Sequence, residues 1–97
     1  MHTIRWKKQA ICDLITIGQH IAKDSSANAE NILDLIENRV KPLAAHPNLG
    51  RIGRKRGTRE LVAHENYVVI YRVLAVNIEI LRIKHSAQQW PAKQPAG

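Results

Sequence analysis

The 97-residue chain carries 15 Lys and Arg against 8 Asp and Glu, a formal net charge of +7, and 44% of its residues are hydrophobic. That length holds one domain with one core, and the apolar fraction argues against global disorder. Cys12 is the one cysteine, which excludes an intrachain disulfide and a thiolate metal cluster.

The charge is uneven. Residues 1–38 hold four Lys/Arg against five Asp/Glu, whereas residues 39–97 hold eleven against three. Such a field favours an anionic partner, nucleic acid or an acidic protein segment, and by itself does not choose between them. The opening MHTIRWKKQ lacks the apolar core of a signal peptide, and no apolar run nears membrane-spanning length. A soluble cytoplasmic protein with no membrane contact is expected.

Thr3 to Trp6 reads as a short strand with Ile4 and Trp6 on one face. A helical pattern follows Lys7 and Lys8: Ile11, Leu14, Ile15, Gly18, Ile21 and Ala22 fall at the spacing of one buried face. Gly18 on that stripe predicts a close approach to a sheet, and Cys12 beside it reads as a partly buried packing residue. Asp24, Ser25 and Ser26 stop this helix and offer N-caps to a second. Ala29, Ile32, Leu33, Ile36, Val40 and Leu43 mark the second buried face. Pro42 interrupts it and predicts a kink or a new short turn. The short linker makes the two helices an antiparallel hairpin.

Asn48 to Gly57, NLGRIGRKRG, combines three glycines with Arg51, Arg54, Lys55 and Arg56, and reads as a mobile, strongly positive loop. A β-hairpin follows, with one arm headed by Arg59, a corner of His64, Glu65 and Asn66, and a second arm from Tyr67 to Val73. Asn66 is the corner residue best suited to positive φ. Tyr67 to Tyr71 is apolar on both faces, which suits a central strand. A last strand covers Ile78 to Lys84, and the tail from Pro91 reads as disordered. The order β-α-α-β-β-β therefore predicts an α+β fold: an antiparallel helical hairpin packed on a small, mostly antiparallel four-stranded sheet, as one domain over residues 1–90. The first strand pairs with a neighbour distant in sequence.

The segments GTREL (Gly57–Leu61), NYVVIYRV (Asn66–Val73) and IEILRIKHSAQQWP (Ile78–Pro91), with Pro47-Asn48-Leu49-Gly50 ahead of the basic loop, resemble the RelE/ParE superfamily of toxins from bacterial type II toxin–antitoxin systems. The resemblance covers Ile4 to Pro91. It implies a small cytoplasmic growth-inhibiting toxin neutralised by an antitoxin whose extended, acidic and apolar segment wraps it, with promoter DNA contacted only through that antitoxin. Two mechanisms occur in the superfamily. RelE-like members cleave messenger RNA on the ribosome without a metal, and ParE-like members inhibit DNA gyrase by binding.

Candidate site residues follow from both readings. Arg51, Arg54, Lys55 and Arg56 offer cations to a phosphate backbone, an acidic antitoxin or gyrase; the plain alternative is a solvated loop. Arg59 reaches a phosphate or pairs with Glu60 or Glu79. Arg72 is expected opposite Glu79 across a turn at Ala75-Val76. Arg82 has no evident acidic partner and is expected exposed. His85 is either a proton carrier or a surface hydrogen-bonding residue. Tyr67 and Tyr71 stack on a base or, more simply, pack in the core, and Trp90 anchors the tail. If the protein is a nuclease, Arg59, Arg82 and His85 are its catalytic candidates. Against that stands Val68, where a messenger-cleaving relative carries a phosphate-directed arginine, and the absence of a tyrosine in the C-terminal segment. These features resemble the ParE-like side. No metal or organic cofactor is expected, because His2, His20, His46, His64 and His85 are scattered in sequence.

Overall fold

A computed structural model describes residues 1–86; the readings for Trp90 and the tail lie outside the described residues. The elements are β1 (Thr3–Trp6), α1 (Lys8–Ala22), α2 (Ser26–Val40), a 3-10 turn (Lys41–Ala44), β2 (Arg51–Ile52), β3 (Arg59–His64), β4 (Tyr67–Val73) and β5 (Asn77–His85). The sheet order is β1-β5-β4-β3-β2, with β1 parallel to β5 and the other pairs antiparallel. The helical hairpin packs on one face.

The predicted α+β class holds, with five strands rather than four. The additional strand, β2, is two residues long and lies inside the basic loop, too short for any hydrophobic period to announce it. β4 is the middle strand, as its two-sided apolar character predicts. Val69, Ile70 and Tyr71 are buried, and the core continues through Ile78, Ile80 and Ile83 of β5 to Ile36, Val40 and Leu43. Burial of such side chains contributes about 1.5–3 kcal/mol each. With no Phe in the chain, these branched aliphatic residues supply most of the core volume.

Ser25 caps α2, its hydroxyl accepting from the Asn28 N–H at 3.1 Å. Pro42 ends α2 by opening the 3-10 turn, one of the two outcomes predicted for it. α1 departs from its predicted face. Ala10 is fully buried and Leu14, Ile17 and Ile21 pack on the core, whereas Ile11 and Ile15 are 45% and 54% exposed. The helix is rotated toward the 10-14-17-21 stripe, and that orientation also brings Asp13 to β5. Cys12 is accordingly exposed. Gly18 serves the other helix rather than the sheet: a Cβ there would lie 3.0 Å from Leu33 Cδ1, so its absence lets α1 and α2 close on each other.

The β3–β4 corner also differs from prediction. Among the described residues no non-glycine has positive φ, Asn66 included. A register shift between Val62 and His64 supplies the twist the turn needs, and the Asn66 N–H donates to His64 Nδ1 at 3.1 Å. A second shift places Leu81 as an extra residue in β5, since Ile70 faces Arg82 while Tyr71 faces Ile80. β1 ends opposite Ile80, and beyond it a side chain takes over the ladder: the Ile83 N–H donates to Asp13 Oδ2 at 2.9 Å.

Candidate functional site

The basic loop is hydrogen-bonded at its entry, middle and tip. Its entry is held by Tyr71, whose hydroxyl accepts from the Gly50 N–H at 2.9 Å and donates to the Pro47 carbonyl at 2.7 Å. Burial pushes the Tyr71 phenol above its ordinary value, against the Gly50 contact and the nearby Arg59 charge, so the hydroxyl stays protonated and able to donate. A side chain at position 50 would place its Cβ 2.8 Å from both the Tyr71 hydroxyl and the Glu60 carbonyl, which accounts for the glycine. Arg59 Nη1 donates to the Gly50 carbonyl at 2.7 Å. Arg59 thus braces the loop through a main-chain oxygen, in place of the pairing with Glu60 or Glu79 weighed from sequence.

The middle of the loop is organised by Glu60, 3% exposed. Its Oε1 accepts from Arg51 Nε and Nη2 at 3.3 and 3.0 Å, and its Oε2 from the Arg54 main-chain N–H at 3.0 Å. The Arg54 guanidinium lies 3.8 Å from Oε1. Burial alone would raise the Glu60 pKa, but the Arg54 N–H, the Arg51 hydrogen bond and the two guanidinium charges outweigh it and hold the carboxyl below its ordinary value. At the tip, the Thr58 N–H and hydroxyl both donate to the Lys55 carbonyl, at 3.1 and 2.6 Å, and the Gly53 N–H donates to the Thr58 carbonyl at 2.8 Å. Gly57 turns the chain at φ +80, a conformation that favours glycine. The arrangement ties the Arg51 and Arg54 guanidiniums to one buried carboxylate while both side chains, like those of Lys55 and Arg56, stay exposed.

The remaining candidates are dispersed. Arg82, expected exposed and unpartnered, is ion-paired: its Nε and Nη2 donate to Asp13 Oδ2 and Oδ1 at 2.8 and 3.1 Å. The partner was invisible in sequence because it lies on α1, across the fold. The Asp13 hydrogen bonds raise the Arg82 pKa above its ordinary value, although burial opposes them. Arg72 meets Glu79 as predicted, with Nε at 2.6 Å from Oε1. His85 sits opposite Tyr67 on β4, the rings edge to face at 5.5 Å, whereas Arg59 pairs with Tyr71 at the far end of that strand. Arg59, Arg82 and His85 therefore do not converge. Tyr67 and Tyr71 are both core residues. Val68 instead shares a small cleft with Arg54, Glu60, Ile70, Lys84 and His85.

Sequence reading missed Glu60 and Asp13. The signal for Glu60 was available: it is the one acid among the residues from Arg51 to His64, directly after four cations and Arg59. Among the described residues, no group of three or more His, Cys, Asp or Glu side chains is placed to hold a metal ion, and no helix is long and apolar enough to cross a membrane.

A helical hairpin on a mixed five-stranded sheet, with a hydrogen-bonded cationic loop at the sheet's edge, is the build of a RelE/ParE superfamily toxin. Residues 4–90 match the family model described as the ParE toxin of the type II toxin–antitoxin system parDE, and the chain belongs to this family. Y4kP of Sinorhizobium fredii is 42% identical over 89 residues, covering 91% of this chain and 92% of that protein. Toxin RelE2 of Caulobacter vibrioides is 31% identical over 88 residues, covering 91% and 99%. In structure, a chain of the chromosomal ParDE toxin–antitoxin system from P. aeruginosa superposes with a TM-score of 0.78 at 29% identity, covering 88% of this chain and 96% of that one. The protein is the toxin of a type II toxin–antitoxin pair.

Proposed function

We propose that the protein is a ParE-like inhibitor that arrests growth by binding DNA gyrase, with the basic loop as its contact element. The observation that carries this reading is Val68. An apolar side chain at that position cannot stabilise a pentacoordinate phosphate, and one lost contact of that kind typically costs about 100- to 1,000-fold in rate. Arg82 adds support, because its guanidinium is already committed to Asp13. A cytoplasmic antitoxin with an extended acidic and apolar segment is the proposed neutralising partner, and promoter DNA is reached only through it. The test is a supercoiling assay with purified gyrase. Inhibition with trapped cleaved DNA, while messenger RNA on ribosomes stays intact, is the expected result, and undiminished supercoiling would refute the reading.

One observation favours a second reading, a RelE-like ribosome-dependent endoribonuclease. Arg54, Lys84 and His85 line the Val68 cleft together, which brings two cations and an imidazole to one place. Primer extension on messenger from expressing cells would then reveal cuts at codon-defined positions.

A further inference from the structure

We propose that Glu60 is the positioning residue of the basic loop: a buried carboxylate that lowers the loop's net positive charge yet is required for the loop to engage its target. Two residues among the described ones are buried and polar, Thr58 and Glu60, and both lie in or under this loop. Their hydrogen bonds divide the loop between them. Glu60 fixes its first half through the Arg51 guanidinium and the Arg54 main chain, and Thr58 closes the tip on Lys55. A ten-residue segment with three glycines would otherwise sample many conformations. Held in one, it meets its partner without the ordering cost that a flexible cationic tether incurs on binding.

The proposal makes a prediction opposite in sign to simple electrostatics. Replacing Glu60 by Gln raises the net charge by one and releases the Arg51 and Arg54 guanidiniums from their ion pairs. If charge alone governed the loop, an anionic partner would be bound more tightly. If position governs it, binding weakens despite the added charge. The inference rests on the reading of this loop as the contact element, and its test separates the two.

The experiment compares wild type, Glu60→Gln and Glu60→Asp by cooperative thermal unfolding, by hydrogen exchange of the Gly53 and Arg54 amides, by growth arrest on graded induction, and by inhibition of purified gyrase. The expected result is a folded Glu60→Gln protein with faster exchange at those amides and potency reduced about tenfold or more. Glu60→Asp, which keeps the charge but falls short of Arg54, should lie between the two. Glu60→Gln with potency equal to or above wild type would overturn the proposal, as would loss of the whole fold in both variants, which would make Glu60 a general structural residue. If wild type leaves gyrase untouched, the gyrase reading fails alone, and the graded growth arrest still ranks the three proteins.

Discussion

Asp13 of α1 grips Arg82 of β5 by two hydrogen bonds, 2.8 and 3.1 Å, and receives the Ile83 N–H at 2.9 Å with the same carboxylate. One side chain thus stitches the helical layer to the sheet at the place where β1 stops and the β5 register shifts. The first prediction follows. Asp13→Ala should destabilise the protein by about 1–3 kcal/mol, because it leaves a partly buried guanidinium and a main-chain donor without their acceptor. Urea unfolding measures it. A loss within a few tenths of a kcal/mol would show that water satisfies both groups.

Tyr71→Phe tests the loop entry. The substitution keeps the ring and its burial, and removes only the hydroxyl that ties the Gly50 N–H to the Pro47 carbonyl. A cost of about 1–3 kcal/mol is expected, with faster amide exchange at Gly50. The readout is again the urea midpoint, together with exchange at that amide.

His85→Ala and the triple change of Arg54, Lys55 and Arg56 to Ala separate the two mechanisms. For a binding inhibitor, the first should leave growth arrest nearly intact and the second should abolish it in a folded protein. For a nuclease, His85→Ala should reduce the cleavage rate by about 100-fold or more. A folded His85→Ala protein that no longer arrests growth, with messenger cleavage lost in parallel, would identify the enzyme.

Acid should release the loop. The Glu60 carboxyl is held below its ordinary value, so its pairing stabilises the fold fully above the ordinary carboxylate range, and that contribution is lost as pH falls through the depressed folded value. Stability measured from about pH 7 down to about pH 3 should therefore fall more steeply for wild type than for Glu60→Gln. Parallel curves would mean that the pair contributes nothing to stability.

The helical hairpin, the central strand and the Arg72–Glu79 pair were legible in the sequence because local periodicity and a short turn carry them. What was not legible came from contacts across the fold. Arg82 looked unpartnered because Asp13 lies 69 residues away. Periodicity alone points to an 11-14-15-18 face on α1, because hydrophobic spacing cannot say which of two adjacent stripes the sheet will cover. β2 was invisible because two residues are too few to carry a period, and the Arg51–Glu60 contact that accompanies its pairing with β3 is not a local signal. At the candidate site, the cations are plain in the sequence, whereas the carboxylate that arranges them reads there only as the neighbour of Arg59.

The parallel pairing of β1 with β5 sets the order of events during synthesis. Thr3 and its partner Asn77 enter the same sheet, yet the ribosome makes one several seconds before the other, at about 5–20 residues per second. Until β5 emerges, β1 has no strand to join, and Asp13 has neither the guanidinium nor the main-chain donor it will hold. The loop can be anchored only after β4 brings Tyr71 to Gly50. The sheet order and the anchoring of the basic loop are therefore completed only near the end of translation.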